Sequence, residues 1–476
     1  MLFYRFAEKR IAVIKGVFSL TNKLKNKIKT VVCMKKGRIL LQLGFAVCCL
    51  VVATACRKNQ NKESVFEPYD PSKPVQLTNF FPDSGGIATQ VILKGMNMGT
   101  EAADLRVYFN KKRATVIRVI GDLAYVITPK LPGDTCVISV AIGKDSSVYG
   151  HLFHYKPRIQ VSTITGTPHS PAATTDGTLV DARFANPYYL AVDQEKNILV
   201  GEWKARARLI SEERNSVVTL LNTTSSGEMV SGTVNTEGTF FFPMNQAPYY
   251  YEFNPNNQWL ARRITPAKTG GSFDFNGKYS FAFNDLDSML YTINTNGDLL
   301  KINPKTRVAT LLKSGILRDR VSGLIQVYLK FHPIDKHMLY FVNPSSMNPA
   351  DGPIPGTDKI YRMDMRTMIV EDYAGTGVKG HEDGAREFAR FNNPCQIVFD
   401  VDGNLYVGDT DNYCVRKITP EGIVSTVAGT PGVSGYLDGP PDIALFNRFW
   451  GMQMDPDGTL YIADYYNRAI RKLTIE

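Results

Sequence analysis

Three stretches of this 476-residue chain share one frame, and a frame repeated along a chain narrows the choice of fold more than any composition does. The first is Val161-Ser162-Thr163-Ile164-Thr165-Gly166, then Asp176-Gly177, then Ala182-Arg183-Phe184 and Pro187. The second is Val370-Glu371-Asp372-Tyr373-Ala374-Gly375, Asp383-Gly384, Ala389-Arg390-Phe391 and Pro394. The third is Val424-Ser425-Thr426-Val427-Ala428-Gly429, Asp438-Gly439 and Ala444-Leu445-Phe446, with Phe449 in place of the proline. Residues 401–418 (VDGNLYVGDTDNYCVRKI) and 456–473 (PDGTLYIADYYNRAIRKL) continue two of these in parallel. Short β-branched and aromatic runs separated by Asp-Gly and Pro-Asp-Gly turns read as strands, not helices.

These stretches closely resemble NHL repeats, a resemblance that implies four-stranded blades of a β-propeller. Phe391 to Phe446 spans 55 residues, one blade with its loops, and Phe184 to Phe391 spans 207, close to four such units. Weaker copies fill the interval at 238–243 (GTFFFP), 288–294 (SMLYTIN) and 337–343 (HMLYFVN), which makes six blades over 158–476. The last blade has three strands, and the stretch at 161–166 is a fourth-strand sequence with no blade before it. Pairing the two closes the ring and leaves neither as a bare sheet edge.

Residues 74–157 form another unit of short strands, at 91–93, 105–109, 124–127 and 137–140, separated by Gly85-Gly86, Gly95 and Pro132-Gly133-Asp134. Its opening (FPDSGG at 81–86, then VILKG at 91–95) and its close at Phe153-His154-Tyr155 resemble the IPT/TIG domain, which implies an immunoglobulin-like sandwich. The expected fold class is therefore all-β, a sandwich followed by a six-bladed propeller closed by its N-terminal strand.

The formal charge of +10 suggests a nucleic-acid partner until its distribution is examined. Residues 1–55 carry eleven of the 55 Lys/Arg and one of the 45 Asp/Glu, which leaves 44 of each beyond them. A neutral remainder has no field to attract a polyanion, so no nucleic acid is expected. Residues 1–56 read as an export segment: a basic start at Met34-Lys35-Lys36-Gly37-Arg38, an apolar run from Ile39 to Val52, then Ala53-Thr54-Ala55-Cys56. This resembles the lipobox of bacterial lipoproteins, which implies lipidation of Cys56, an outer-membrane anchor and a translational start at Met34. Ala53 departs from the leucine more often found there. Residues 57–73, polar and proline-bearing, read as a tether. Because Arg57-Lys58-Asn59-Gln60 follows the cysteine, with the first acid at Glu63, both the cell surface and the periplasmic face stay open.

Strand parity sorts the propeller loops into two faces. If the innermost strand, A, starts at the top, the A–B and C–D turns lie below, and the B–C and D–A connections lie above. The lower turns are tight; the upper ones are aromatic. Tyr188, Tyr189, Trp203, Tyr249, Tyr413, Trp450, Tyr465 and Tyr466 fall on or beside the upper face with Arg206 and Gln246. Flat rings beside polar side chains suit a sugar, whose C–H face stacks while its hydroxyls seek partners. A single ring of this kind fills a gap between blades as readily as it binds a ligand. Glu202, Asp409 and Asp464 could serve a calcium-dependent hydrolase or lyase. They recur at equivalent repeat positions, however, so hydrogen bonding of the B–C turn is the favoured role. Cys136, Cys395 and Cys414 read as buried thiols, and no Cys/His metal spacing, phosphate loop or Gly-x-Ser-x-Gly elbow is present. The expectation is no catalytic residue, metal or cofactor. An anchored sandwich and propeller resembles the surface glycan-binding proteins of Bacteroidota, which implies non-catalytic glycan binding at the ten upper-face residues. A protein-interaction scaffold at the envelope is the alternative.

Overall fold

The computed structural model describes residues 67–475 apart from 131–134, 169–172, 204, 224–226, 322–324 and 345–356. The export segment, Cys56 and the tether up to residue 66 lie outside the described residues. From 159 onward the chain forms six sheets of at least four strands each, arranged as successive blades. Five blades run in chain order from strand A to strand D, beginning at Pro187–Val192, Thr233–Val234, Ala282–Asn284, Tyr328–Phe331 and Pro394–Phe399. The weak repeat copies are the B strands Phe240–Pro243, Met289–Ile293 and Met338–Val342.

The sixth blade joins the two ends of the propeller. Its A, B and C strands are Gly451–Met454, Leu460–Asp464 and Ala469–Ile475, and its outer strand is Ile159–Gly166. Val161 pairs with Leu473 and Gly166 with Ala469, with a bulge between Thr163 and Thr165. The third and fifth blades each gain a fifth, outermost strand, Ala267–Thr269 and Gly384–Ala385. These cover edges that would otherwise offer unpaired backbone groups.

Burial follows the strand pattern. Apolar side chains of neighbouring blades interlock in continuous clusters, one of which joins Val161 and Leu473 to Val415, Phe446, Phe449 and Ile462. Glycines permit the closest approaches. A Cβ on Gly451 would stand 2.7 Å from the Tyr189 Cα and 2.8 Å from the Tyr188 carbonyl oxygen, in the backbone of the next blade. Cys136, Cys395 and Cys414 are buried and form no disulfide among the described residues.

Before the propeller, a seven-stranded sheet and a three-stranded sheet enclose Val91, Leu93, Val107, Phe109, Val126, Val140 and Phe153, all fully buried. Strand Lys112–Ile120 bridges the larger sheet. Lys112 to Ala114 pair with Val107 to Phe109, and from Thr115 onward the strand pairs with Leu123–Ile127, with a bulge between Val116 and Arg118. The strand alternates too weakly for its pattern to announce it, since only Ala114 and Val119 are buried. This unit meets the lower face of the propeller, where Lys112 Nζ lies 3.7 Å from Asp402.

Candidate functional site

The repeated acids are structural. In the fifth blade, Asp409 Oδ1 accepts the Asn392 amide at 2.7 Å, and its Oδ2 accepts from Asn412 and Arg416, both at 2.8 Å. In the sixth, Asp464 takes the Asn447 amide at 2.9 Å, then Asn467 and Arg471 at 2.8 Å. Glu202 meets Arg206 at 3.3 Å and Arg208 at 3.4 Å. Arg208, Arg416 and Arg471 are fully buried and account for most of the repeat. Each reaches the Asp of the Asp-Gly pair, at Asp176, Asp383 and Asp438, over 2.6–2.9 Å. Each lies over the repeat phenylalanine, at Phe184, Phe391 and Phe446, with the guanidinium carbon 4.3–5.2 Å from the ring centre. The guanidinium plane suits both tasks, forked hydrogen bonding and stacking. Burial pushes the Asp409 carboxyl up to about 6, against its three donors.

The upper end of the channel gathers five of the eight expected aromatic residues. Tyr188 stacks on Trp450 with ring centres 6.1 Å apart, and Tyr465 meets Tyr188 edge-on at 5.1 Å. Tyr466 follows at 5.0 Å from Tyr465. Tyr188, Tyr189 and Trp450 are buried, and the Tyr189 hydroxyl is hydrogen-bonded to that of Tyr328. Their faces are used in packing, whereas Tyr465 is half-buried and Tyr466 is 52% exposed. Of the remaining residues, Trp203 and Arg206 sit at the B–C loop of the first blade, Gln246 and Tyr249 on the second and Tyr413 on the fifth. Trp203 is 46% exposed, and Gln246 is exposed. Arg206 is committed to Thr174, Glu202 and Asn222. Tyr249 packs edge-on against Tyr251 at 5.6 Å with Arg263 over its ring, and Tyr413 holds the left-handed cap of a short turn.

The repeats did not announce Glu228, which stands beside this set. Asn245 donates to it at 2.7 Å, and burial raises its carboxyl above the usual range. Burial first, and then Glu228, also raises the Tyr188 and Tyr279 hydroxyls. Deeper in the channel, Gln396 donates to Ser231 Oγ at 2.7 Å, a contact between non-adjacent blades.

Below that contact the channel opens into a cavity of about 600 Å³, lined by the A–B turns of all six blades together with Lys112 and Lys130 of the N-terminal unit. Sequence reasoning placed the chemistry at the other end, because these turns are short and look merely structural. One signal was available. Where the other inner strands carry Ala191, Thr233, Ala282, Val398 and Gln453, the fourth carries Lys330.

Residues 74–155 match the IPT/TIG domain family. Over 97 residues the chain is 30% identical to the Arabidopsis thaliana protein SUPPRESSOR OF QUENCHING 1, chloroplastic, a stretch of 20% of this chain and 9% of that one. The chain thus spans under a tenth of that curated relative. Among solved structures, a Bacteroides thetaiotaomicron protein of unknown function is 26% identical, with a TM-score of 0.70 over 86% of this chain and 100% of the other. An auxiliary nutrient binding protein from the same species is 23% identical, with a TM-score of 0.55 over 86% of this chain and 99% of its own. Another, from Bacteroides ovatus, is 20% identical, with a TM-score of 0.55 over 86% and 100%. The all-β plan of an IPT/TIG sandwich followed by a six-bladed propeller is thus the architecture of this chain, and its solved neighbours share that fold over most of their length.

Proposed function

We propose that this chain is a non-catalytic binding protein of the bacterial envelope, lipid-anchored at Cys56, that holds a glycan on the upper face of its propeller. The observation that carries the reading is the exposure of Trp203 and Tyr466 on upper loops, with half-buried Tyr249, Tyr413 and Tyr465 and exposed Gln246 on the same face. Half-exposed rings offer a sugar a stacking surface without losing their anchorage. Tyr188, Tyr189 and Trp450 serve the site from beneath by fixing Tyr465, and Arg206 orders the loop that bears Trp203. The saturated hydrogen bonding of Asp409 and Asp464 favours binding over acid–base chemistry. The names of two solved neighbours, auxiliary nutrient binding proteins, agree with this reading.

The test is retardation of residues 57–476 in gels containing a panel of polysaccharides. The wild type is expected to be held back by its cognate glycan. Trp203→Ala combined with Tyr466→Ala should lose about 1 kcal/mol or more per ring, roughly thirtyfold or greater in all, with an unchanged melting temperature. Unchanged retardation would remove the upper face from consideration.

A protein scaffold is the second reading, favoured by exposed Phe81, Met96 and Ile117 on strands of the N-terminal unit. It predicts an envelope protein that co-purifies and stays bound in excess glycan.

A further inference from the structure

The lower mouth of the channel has features that the upper-face reading does not use. Its wall combines Phe283, Phe331 and Phe399 with charged groups, and all but one of the acids there are strongly engaged within the protein. Asp193 and Asp400 accept from the backbone and side chain of Asn197 and Asn404 in their own turns. Asp455 accepts the amides of Asp457 and Thr459 at 2.9 Å. Asp285 pairs with Lys336, and Asp457 with Lys196 at 2.7 Å. Asp402 has the longer contact, 3.7 Å to Lys112.

Lys330 differs from these groups. It lies half-buried on an inner strand, lines the cavity, and its ammonium has no hydrogen bond or ion pair among the described residues. Loss of water around it pulls its ammonium down to about 8. An unpaired charge removed from water is costly, and an incoming anion would compensate it. The surrounding carboxylates are acceptors only, and the exposed ones, Asp285, Asp402 and Asp457, can still take a hydroxyl hydrogen beside their lysine contacts. The phenyl rings offer an apolar surface to a ring's C–H face.

We propose that this cavity is a second ligand site, taking a hydroxylated ring that bears one carboxylate, such as a uronic acid, with Lys330 receiving the carboxylate. The volume suits one or two sugar units. A neutral sugar would leave Lys330 unpaired, and a dianion would meet the turn aspartates, so the site discriminates by charge. The inference goes beyond the upper-face reading and stands apart from it.

The test is calorimetric titration of residues 57–476 with glucuronate and with glucose, then with a disaccharide containing glucuronate. The wild type should bind glucuronate roughly tenfold or more tightly than glucose, the strength expected of a charge-assisted contact. Lys330→Met should bring glucuronate down to the level of glucose, and Lys330→Arg should keep most of the preference. Lys330→Arg should melt with the wild type, and Lys330→Met at the same temperature or above, since the lysine has no partner to lose and its desolvated charge is costly. The Trp203→Ala, Tyr466→Ala double variant should bind glucuronate normally, which separates this site from the upper one. Equal affinity for the two sugars, absence of glucuronate and disaccharide binding, or an unaltered preference in Lys330→Met would each overturn the proposal.

Discussion

Arg416 shows how one buried residue can define a repeat. Its guanidinium satisfies Asp409 and Asp383, takes two backbone carbonyls and covers Phe391. Removing it leaves Asp409, fully buried, without its counter-charge. Arg416→Met should therefore lower unfolding free energy by about 3–5 kcal/mol in urea titration, whereas Asp409→Asn, which keeps the shape and the Asp383 contact, should cost less. A loss below about 1 kcal/mol in Arg416→Met would mean that the aspartates find water or other donors. The same logic accounts for the recurrence of Asp-Gly, Arg and Phe at fixed offsets: they are one contact set, seen three times.

At the scale of strands, inter-blade distance is set where side chains are missing. Gly451 opens the sixth blade's inner strand against the backbone of Tyr188 and Tyr189. Gly451→Ala should push the two strands apart and lower stability by about 1–3 kcal/mol, read as a fall in melting temperature. Gly150→Ala is the control, since a Cβ there meets nothing within 4 Å. Displacement at this seam should also disturb the Tyr188–Trp450 stack beneath Tyr465, coupling blade spacing to the upper face.

For the whole molecule, closure is the decisive contact, because it joins residues some 300 positions apart in the chain. A truncation beginning at residue 158 should be monomeric and unfold cooperatively. One beginning at residue 167 lacks the outer strand and bares the edge of Ala469–Ile475. It should aggregate or exchange strands, as light scattering after size exclusion would show. A monomeric, equally stable 167–476 fragment would show that closure contributes little.

What the sequence determined by itself is whatever repeats locally. Blade number, strand order and the tight lower turns follow from periodic residues, because five of the six blades are built by neighbours in the chain, and the pairing of the two ends follows from the incomplete repeat copies found there. The IPT/TIG unit was legible from its ends, but its bridging strand Lys112–Ile120 was not, since only two of its residues are buried. The candidate sites were only partly legible. Trp203 and Tyr466 could be placed on the upper face from strand parity, yet parity cannot tell a ring that packs from one that faces solvent, so Tyr189 and Trp450 looked like their equals. Glu228 and Lys330 acquire their surroundings from blades far apart in sequence. A channel exists only after six sheets close around it, and the burial that perturbs these groups is a property of that ring.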